Sequence, residues 1–159
     1  MEMIIRNPSP GDIGWLISVH GQVYAEQFNF DSKFEIDIAK KVITFLEAPH
    51  DFNRLWIAVT DNERVGSIAV SLKPDRTAFV NFLLVKPEYR GYGIAKILLD
   101  KVIFHAKEND LKAIRLETYS CLENARRLYN KYGFAIYKKN AAVKQYSQLF
   151  DQEFWEKPL

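Results

Sequence analysis

The chain has 159 residues, 48% of them hydrophobic and 26% charged, so it is apolar enough to fold around a core rather than stay disordered. Its 22 basic and 20 acidic side chains leave a formal charge of +2, too small to favour nucleic acid or an anionic membrane as the main partner. Cys121 is the one cysteine, and we find neither a membrane-length apolar run nor a signal-peptide pattern. We expect a single cytoplasmic domain over residues 1–159, with no nucleic acid or membrane partner.

The first third of the chain predicts a strand followed by two helices. Met3 to Arg6 indicate a short strand, and Asp12 sits where a helix N-cap belongs. Helical spacing then places five residues on one face, namely Ile13, Leu16, Ile17, His20 and Tyr24. A second helix is predicted over residues 32–46. Two apolar helices at this point would suit a lid over a small-molecule site.

The rest of the chain alternates strands with helices. Strands are predicted at 55–59, 65–72, 79–85, 113–118, 134–137 and 143–155, and helices at 93–109 and 124–132, with Gly133 as the stop of the last helix. The order β-α-α-β-β-β-α-β-α-β-β predicts an α/β (α+β) fold in which helices cover the faces of a mixed sheet.

The segment from Asn81 to Lys96 runs from an apolar strand through a glycine-bearing turn into a helix. The first turn of a helix has unpaired N–H groups and a favourable dipole for anions, and Gly91 and Gly93 let the backbone approach a diphosphate closely. Arg90 and Lys96 add positive charge. The spacing lacks the Gly-Lys-Ser/Thr of a Walker A loop, and Lys96 stands where a dinucleotide fingerprint has Gly or Ala. The pattern by itself leaves open whether the turn binds phosphate or only starts a helix.

Two motifs resemble signatures of the GNAT superfamily of N-acetyltransferases. Arg90 to Ala95 (RGYGIA) is similar to the family's Arg/Gln-x-x-Gly-x-Gly/Ala loop, and Val85-Lys86-Pro87 precedes it as is typical there. Further along, Ala125 to Phe134 (ARRLYNKYGF) is similar to the second signature, Ala-x-x-Leu-Tyr-x-x-x-Gly-Phe. The resemblance implies a GNAT fold, with a mixed, mostly antiparallel central sheet flanked by about four helices.

Other segments resemble one subgroup of this family. The segments 56–58 and 63–67 and the late aromatic Trp155 are similar to the acetyltransferase half of bacterial proteins that fuse a MarR-type DNA-binding domain to a GNAT domain. The resemblance involves the acetyltransferase half alone, so a regulatory role does not follow from it.

The resemblance implies transfer of an acetyl group from acetyl-coenzyme A to a primary amine, by direct attack in a ternary complex and without a metal. The strand backbone would pair with the pantetheine arm and the loop would hold the pyrophosphate. The implied cofactor-binding residues are Leu83, Leu84, Val85, Arg90, Gly91, Tyr92, Gly93, Ile94, Ala95, Lys96 and Asn124. Many relatives have Asn where this chain has Leu122, so Asn124 is either a substitute contact or a helix cap.

We expect two residues to be catalytic, the first from the resemblance and the second as one choice among several candidates. Tyr129 matches the tyrosine that protonates the coenzyme A thiolate in this superfamily, and Glu117 is the expected general base. Glu26, His20 and a water held by Asn81 are alternatives to Glu117. Four aromatic residues are either an acceptor pocket or core, namely Tyr24, Phe28, Phe30 and Phe34. The three histidines show no metal-ligand spacing, and Cys121 has no nearby His to make it a nucleophile.

Several alternatives stay open at this point. The acceptor is a small amine or amino acid, or else an amine on a protein. The rival to an enzyme is a non-catalytic domain that senses acyl-coenzyme A or mediates an interaction. A homodimer through the aromatic C-terminal strand is an alternative to a monomer.

Overall fold

The computed structural model describes residues 2–159, and its seven strands form one sheet. The strands are β1 (Ile4–Arg6), β2 (Arg54–Thr60), β3 (Glu63–Leu72), β4 (Thr77–Val85), β5 (Ala113–Tyr119), β6 (Ala135–Gln145) and β7 (Gln148–Pro158). The helices are α1 (Asp12–Phe28), α2 (Ser32–Glu47), α3 (Ile94–Glu108) and α4 (Glu123–Lys131), with a 3₁₀ turn at Pro87–Tyr89. The predicted order of elements is confirmed. No helix within residues 2–159 has the length and apolarity needed to cross a membrane.

The sheet has the order β1-β2-β3-β4-β5-β7-β6 and is mixed. Its neighbouring strands run antiparallel except for β4 and β5, which are parallel. The parallel pair lies in the middle of the sheet and is joined by α3, as a crossover connection requires. The prediction of a mixed, mostly antiparallel sheet is therefore confirmed.

Helices cover both faces of the sheet, because the strands present apolar side chains on alternate sides. The core beside α3 and α4 contains Ile68, Leu98 and Leu116, each at most 1% exposed. The core beside α1 and α2 contains Leu16 and Val42, both fully buried. The sheet separates the two cores. An opening between β4 and β5 therefore lies between two packed layers.

Strand β4 is interrupted by a bulge at Phe82. Phe82 has a φ of 56°, a left-handed conformation that is unusual for a bulky residue, and the register with β3 shifts between Ser67 and Ala69. Val80 lies in the core beside α3, whereas Phe82 lies in the core beside α1 and α2, so the normal alternation of sides is broken here. The bulge redirects the second half of β4.

Two neighbours on β3 hold this bulge in place. The Ser67 hydroxyl is buried and donates a 2.6 Å hydrogen bond to the carbonyl oxygen of Phe82. One residue earlier, Gly66 lies so close to β4 that an added Cβ would stand 2.8 Å from the carbonyl oxygen of Leu84. A side chain at position 66 would therefore push the two strands apart.

Asp12 is not an N-cap, so that prediction is wrong. Gly11, with a φ of 97°, holds the cap position, and Asp12 is the first residue of α1. The fully buried carboxylate of Asp12 accepts a 2.6 Å hydrogen bond from Arg6 Nη1 and lies 2.7 Å from Arg64 Nε. A buried charge needs such partners, and here they tie α1 to β1 and β3.

The last two strands have other bounds than predicted, because the strand predicted over residues 143–155 contains the end of β6, the turn and most of β7. They form one hairpin over residues 135–158, turning at Tyr146 and Ser147, whose φ angles are 56° and 62°. Strand β6 is the edge strand, and all its residues except Val143 are exposed. Its sequence carries little apolar alternation, which is why its predicted strand stops at residue 137 and its last three residues are assigned to the next strand.

We predict that Asp12 gives the protein an acid-dependent part of its stability. The hydrogen bond from Arg6, helped by Ser9 N–H and the Arg64 charge, lowers the pKa of Asp12 to about 2, against the opposing effect of burial. Because the folded-state pKa lies below the unfolded one, the stabilisation is complete above about pH 4 and is lost as the pH falls towards 2. The shift corresponds to about 2 kcal/mol.

The test is urea unfolding between pH 7 and pH 2 for the wild type and Asp12→Asn. The difference in unfolding free energy should be largest at neutral pH and shrink below about pH 4. Asp51→Asn is the control, because Asp51 is exposed. A difference between Asp12→Asn and wild type that stays constant with pH would contradict the assignment.

We also predict that the Ser67 hydroxyl stabilises the bulge. Ser67→Ala removes the hydrogen bond to a buried carbonyl and should lower the unfolding free energy by about 1–3 kcal/mol. Ser71→Ala on the same strand is the matched control, and it should change the unfolding free energy by less than about 0.5 kcal/mol. Equal losses for the two variants in urea unfolding would show that the Ser67 bond contributes little.

Candidate active site

The site begins where β4 and β5 separate. These strands pair only from Thr77–Phe79 to Ala113–Arg115, and beyond this point they diverge. The β5-facing backbone groups of residues 80–85 are thus left without partners from β5. A cavity of about 910 Å³ opens in the gap. Unpaired strand groups that border a cavity are free to bond an extended amide-containing ligand.

The glycine-bearing loop lies at one end of the cavity. Gly91 and Gly93 have φ angles of 87° and 78°, the left-handed region that glycine tolerates best. Helix α3 starts directly after Gly93, and the amide of Ile97 bonds the Gly93 carbonyl at 3.1 Å. The amides before Ile97 therefore form the free N-terminal turn of the helix, a ready site for a phosphate group.

The two positively charged residues of the loop differ in their hydrogen-bond partners. Lys96 is exposed on the first turn of α3 and lines the cavity. Arg90 also lines the cavity, but its Nη1 donates a 2.5 Å hydrogen bond to Gln27 Oε1 and its Nε lies 3.4 Å from the Val85 carbonyl oxygen. Arg90 thus links the loop to α1 as well as adding charge to the cavity wall.

Most of the predicted cofactor-binding residues line this one cavity. They are Leu83, Leu84, Val85, Arg90, Gly91, Gly93, Ile94, Ala95, Lys96 and Asn124. Tyr92 does not line it and is 62% exposed. The Asn124 side chain accepts a hydrogen bond from Arg127 within α4, whose N-cap is Leu122, so Asn124 does not cap the helix.

Tyr129 reaches the cavity from α4. Its ring is buried and packs at 6.1 Å from the ring of Trp155 and at 5.8 Å from that of Phe134. The Tyr129 hydroxyl has no hydrogen-bond partner within residues 2–159. In this part of the chain, every fully buried polar side-chain atom has a hydrogen-bond partner, so the Tyr129 hydroxyl is not fully buried. Because Tyr129 lines the cavity, we infer that its hydroxyl is exposed to the cavity. Burial, with a smaller effect of the neighbouring Tyr24, raises the pKa of Tyr129 and keeps it protonated.

A buried carboxylate fixes the helix that carries Tyr129. Glu153 on β7 is 1% exposed, and its two oxygens accept hydrogen bonds from Arg126 Nε and Nη2 at 3.0 and 3.2 Å. The same carboxylate accepts a 3.1 Å hydrogen bond from the indole of Trp155. Arg126 lies one turn before Tyr129. The Glu153 carboxylate therefore holds in place both helix α4 and the Trp155 ring that packs on Tyr129.

Tyr24 approaches the cavity from the opposite face of the sheet. It lies on α1, lines the cavity, and stacks at 4.3 Å on Phe34 of α2. Burial raises the pKa of Tyr24 to about 12, and the nearby Arg90 partly offsets this. Tyr24 contributes to the raised pKa of Tyr129, although the two residues belong to helices on different faces of the sheet. Both residues line the cavity in the gap between β4 and β5.

The candidate bases differ in their surroundings. Glu117 on β5 is half-buried, lines the cavity and accepts a 2.6 Å hydrogen bond from Gln152. His20 is 2% exposed, and its Nδ1 bonds the Leu16 carbonyl oxygen at 2.8 Å, so Nε2 is the unprotonated nitrogen. Burial lowers the pKa of His20 to about 4, which makes it a weak base. Glu26 is exposed and Asn81 half-buried, and both line the cavity.

The structure adds cavity residues that the sequence reasoning missed. Tyr119 and Lys41 line the cavity, and so does Phe82 at the bulge. The predicted strand ended one residue before Tyr119, and nothing in the local sequence marks the left-handed conformation of Phe82. Of the four aromatic residues offered as pocket or core, Tyr24, Phe28 and Phe34 line the cavity, whereas Phe30 is core.

Within residues 2–159, His, Cys, Asp and Glu side chains form no cluster of three or more that could hold a metal ion. Cys121 is exposed at the rim and free, and burial raises the pKa of its thiol.

Comparisons with known proteins agree with this geometry. N-acetylaspartate synthetase of Danio rerio is 36% identical over 80 residues, which are 50% of this chain and 28% of that protein, so the match spans less than a third of this relative. A GNAT-family acetyltransferase of Staphylococcus aureus Mu50 has a TM-score of 0.79 at 24% identity, with 99% of both chains covered. A Bacillus anthracis acetyltransferase solved in complex with acetyl-coenzyme A has a TM-score of 0.63 at 23% identity, covering 74% of this chain and 67% of that one.

These solved structures are below 25% identity and support the fold. The sequence itself matches the family described as "Acetyltransferase (GNAT) family" over residues 22–134, well over half of the chain. The GNAT fold implied by the two motifs is therefore confirmed, and the chain belongs to the GNAT acetyltransferase family.

Proposed function

We propose that this protein is an N-acetyltransferase that moves an acetyl group from acetyl-coenzyme A to a primary amine, with both substrates bound together. The observation that carries the proposal is the gap between β4 and β5, which joins a phosphate-binding loop at one end to Tyr129 and Glu117 along its walls. One continuous cavity of about 910 Å³ is large enough for two ligands at once.

The residues present fit acetyl-coenzyme A. The free amides of the α3 N-terminus, with Lys96 and Arg90 beside them, would hold its pyrophosphate. The backbone groups of Leu83 to Val85 that face away from β3 would pair with the amides of the pantetheine arm. When bound, acetyl-coenzyme A supplies an acetyl group as a thioester, which is open to attack by an amine. The relative solved with acetyl-coenzyme A supports this assignment.

The proton movements can be assigned to two residues on opposite walls. A carbon–nitrogen bond forms between the acetyl carbon and the amine, the carbon–sulfur bond breaks, and the sulfur takes the bonding electrons. Glu117 accepts the proton that the ammonium form must lose before attack and passes it to solvent, and the nitrogen loses its second proton to solvent when the carbon–nitrogen bond has formed. Tyr129 donates a proton to the departing thiolate and is then reprotonated from solvent. One proton is released to solvent for each ammonium acetylated.

Glu117 fits the base role better than its alternatives. Its carboxylate already accepts one hydrogen bond from Gln152 and has a second oxygen for the amine. His20 is held neutral by burial, and its Nε2 can accept a hydrogen bond but binds a proton weakly at neutral pH. Glu26 is exposed on α1, where solvent competes for its carboxylate.

Four further features belong to the same proposal. Residues 1–159 form a single acetyltransferase domain, since the seven strands share one sheet. The protein is cytoplasmic, as its free cysteine suggests. It resembles the acetyltransferase half of MarR–GNAT fusions. The homodimer expected through the aromatic C-terminal strand would form through the hairpin that contains this strand, because β7 lies between β5 and β6 and only β6 has a free edge. The rival function, a non-catalytic acyl-coenzyme A sensor, requires only the donor half of the cavity.

We predict that acetyl-coenzyme A stabilises the protein. A ligand at ~100 times its Kd adds about 2.7 kcal/mol to the unfolding free energy, which raises Tm by roughly 5–10 °C for a chain of this size. ATP and NADH should give no comparable shift, because the loop lacks the spacing of nucleotide-binding motifs. The measurement is a thermal unfolding series, and no response at millimolar acetyl-coenzyme A would remove the basis for the proposal.

Removing the charge of Lys96 tests where the pyrophosphate binds. Lys96→Gln should weaken acetyl-coenzyme A binding about threefold to fivefold, since an exposed ion pair contributes up to about 1 kcal/mol. Lys107→Gln, at the other end of the same helix, is the matched control and should leave the Kd unchanged. Equal Kd values for the two variants by titration calorimetry would contradict the placement of the phosphates.

We predict that Tyr129→Phe keeps the affinity for acetyl-coenzyme A and lowers kcat at least about tenfold, or about 1.4 kcal/mol of barrier. The reason is that only the hydroxyl, which opens on the cavity, is removed while the packed ring stays. Tyr137→Phe on the exposed edge strand is the control, with an expected kcat equal to that of the wild type. Thiol release at the wild-type rate from Tyr129→Phe would exclude Tyr129 as the acid.

A further inference from the structure

We infer that the acceptor is a small primary amine with a flat, apolar body, of the arylalkylamine kind, rather than a polyamine or an amine on a protein. This inference rests on the proposed function and specifies its acceptor. It follows from the aromatic wall of the cavity, from a hydrogen-bonded closure behind that wall, and from the charges that face it.

The wall beside α1 and α2 is aromatic. Tyr24 stacks on Phe34 with ring centroids 4.3 Å apart and contacts Phe28 at 5.3 Å, and all three line the cavity. Phe82 at the bulge and Tyr119 at the end of β5 continue this lining. Rings in this arrangement offer faces and edges to another ring and gain contact energy beyond simple burial. An amine without an apolar group would leave this aromatic surface exposed to water.

A further ring closes the space behind the wall. Tyr146 lies 5.2 Å from the ring of Phe34 on α2 and 6.3 Å from that of Tyr119 on β5, so it fills the gap between the two cavity-lining rings. Its hydroxyl donates a 2.8 Å hydrogen bond to Asp37 Oδ2. The wall is therefore continuous from α2 to β5.

The turn that carries Tyr146 is fastened to the connection between α1 and α2. Asp31 N–H donates to the Tyr146 carbonyl oxygen at 3.3 Å, and the Ser147 hydroxyl donates to Asp31 Oδ2 at 2.7 Å. Gln148 Nε2 donates to the Asn29 carbonyl oxygen at 3.1 Å. A protein tail would need free backbone partners in an open groove, and these hydrogen bonds already occupy the polar groups where the turn meets the connection between α1 and α2.

The charges of the lining match one ammonium group. Glu117 is half-buried on β5, whereas the other lining carboxylates, Glu26 and Glu123, are exposed. A polyamine would require several carboxylates along the wall to replace the water around its charges. One half-buried carboxylate set among aromatic rings suits a single amine attached to an apolar body.

The test compares four amines at saturating acetyl-coenzyme A with the full chain. They are 2-phenylethylamine, ethylamine, spermidine and a short peptide with a free N-terminal alanine. We expect kcat/KM for 2-phenylethylamine to exceed that of each other amine at least about tenfold. A higher kcat/KM for spermidine or the peptide overturns the acceptor class but leaves the acetyltransferase proposal standing. Stabilisation by acetyl-coenzyme A without turnover of any amine overturns both, in favour of the non-catalytic alternative.

Two variants test whether the aromatic wall causes the preference for 2-phenylethylamine. Phe34→Leu and Phe28→Leu each remove a lining ring and keep an apolar side chain, and each should reduce the preference for 2-phenylethylamine over ethylamine at least about threefold, with Kd for acetyl-coenzyme A unchanged. Phe104→Leu on α3 is the matched control, because Phe104 is exposed and lies outside the cavity lining. Phe28 is only half-buried, so its variant tests the wall even if Phe34→Leu folds poorly. An unchanged preference in both folded variants overturns the inference.

Discussion

The separation of β4 from β5 is the constraint on which the site depends. Two parallel strands in the centre of a sheet would normally stay paired along their length, with their backbone groups satisfied by each other. Here they pair over only three residue pairs, and β4 carries its bulge at Phe82, three residues beyond the last pair. The same feature creates the cavity, frees backbone groups along it, and lets side chains from both faces of the sheet reach one space.

The structure supports this open region with buried charges placed outside it. Asp12 binds Arg6 and Arg64 near the start of the chain, and Glu153 binds Arg126 and the Trp155 indole beneath α4. Both carboxylates are fully partnered, as buried charges must be. Within the cavity, Glu117 and Arg90 have internal hydrogen-bond partners, whereas the Tyr129 hydroxyl has none within residues 2–159. Groups left without internal partners at a cavity surface are the ones available to a ligand.

The sequence predicted the elements and the loop well because their signals are local. Periodicity located the strands and helices in order, and Gly91 and Gly93 marked a turn whose φ angles are indeed positive. The features it missed depend on residues far apart in the chain. Asp12 looks like a cap next to its own helix, but one of its partners, Arg64, lies on β3. Phe82 adopts its left-handed conformation beside Ser67, which lies on another strand. The residues next to Phe82 in the sequence therefore do not predict this conformation.

The position of Tyr129 explains how the acid of the proposed mechanism could protonate a thiolate despite its raised pKa. Burial raises the pKa of the phenol because it disfavours the phenolate, and the same surroundings disfavour a thiolate in the same cavity. What matters for proton transfer is the difference between the two groups, and a common environment shifts both in one direction. The Glu153 carboxylate, by fixing Arg126 and Trp155 around Tyr129, then contributes orientation rather than acidity. The site therefore depends on where the hydroxyl is held, which is a property of how α4 packs on β7.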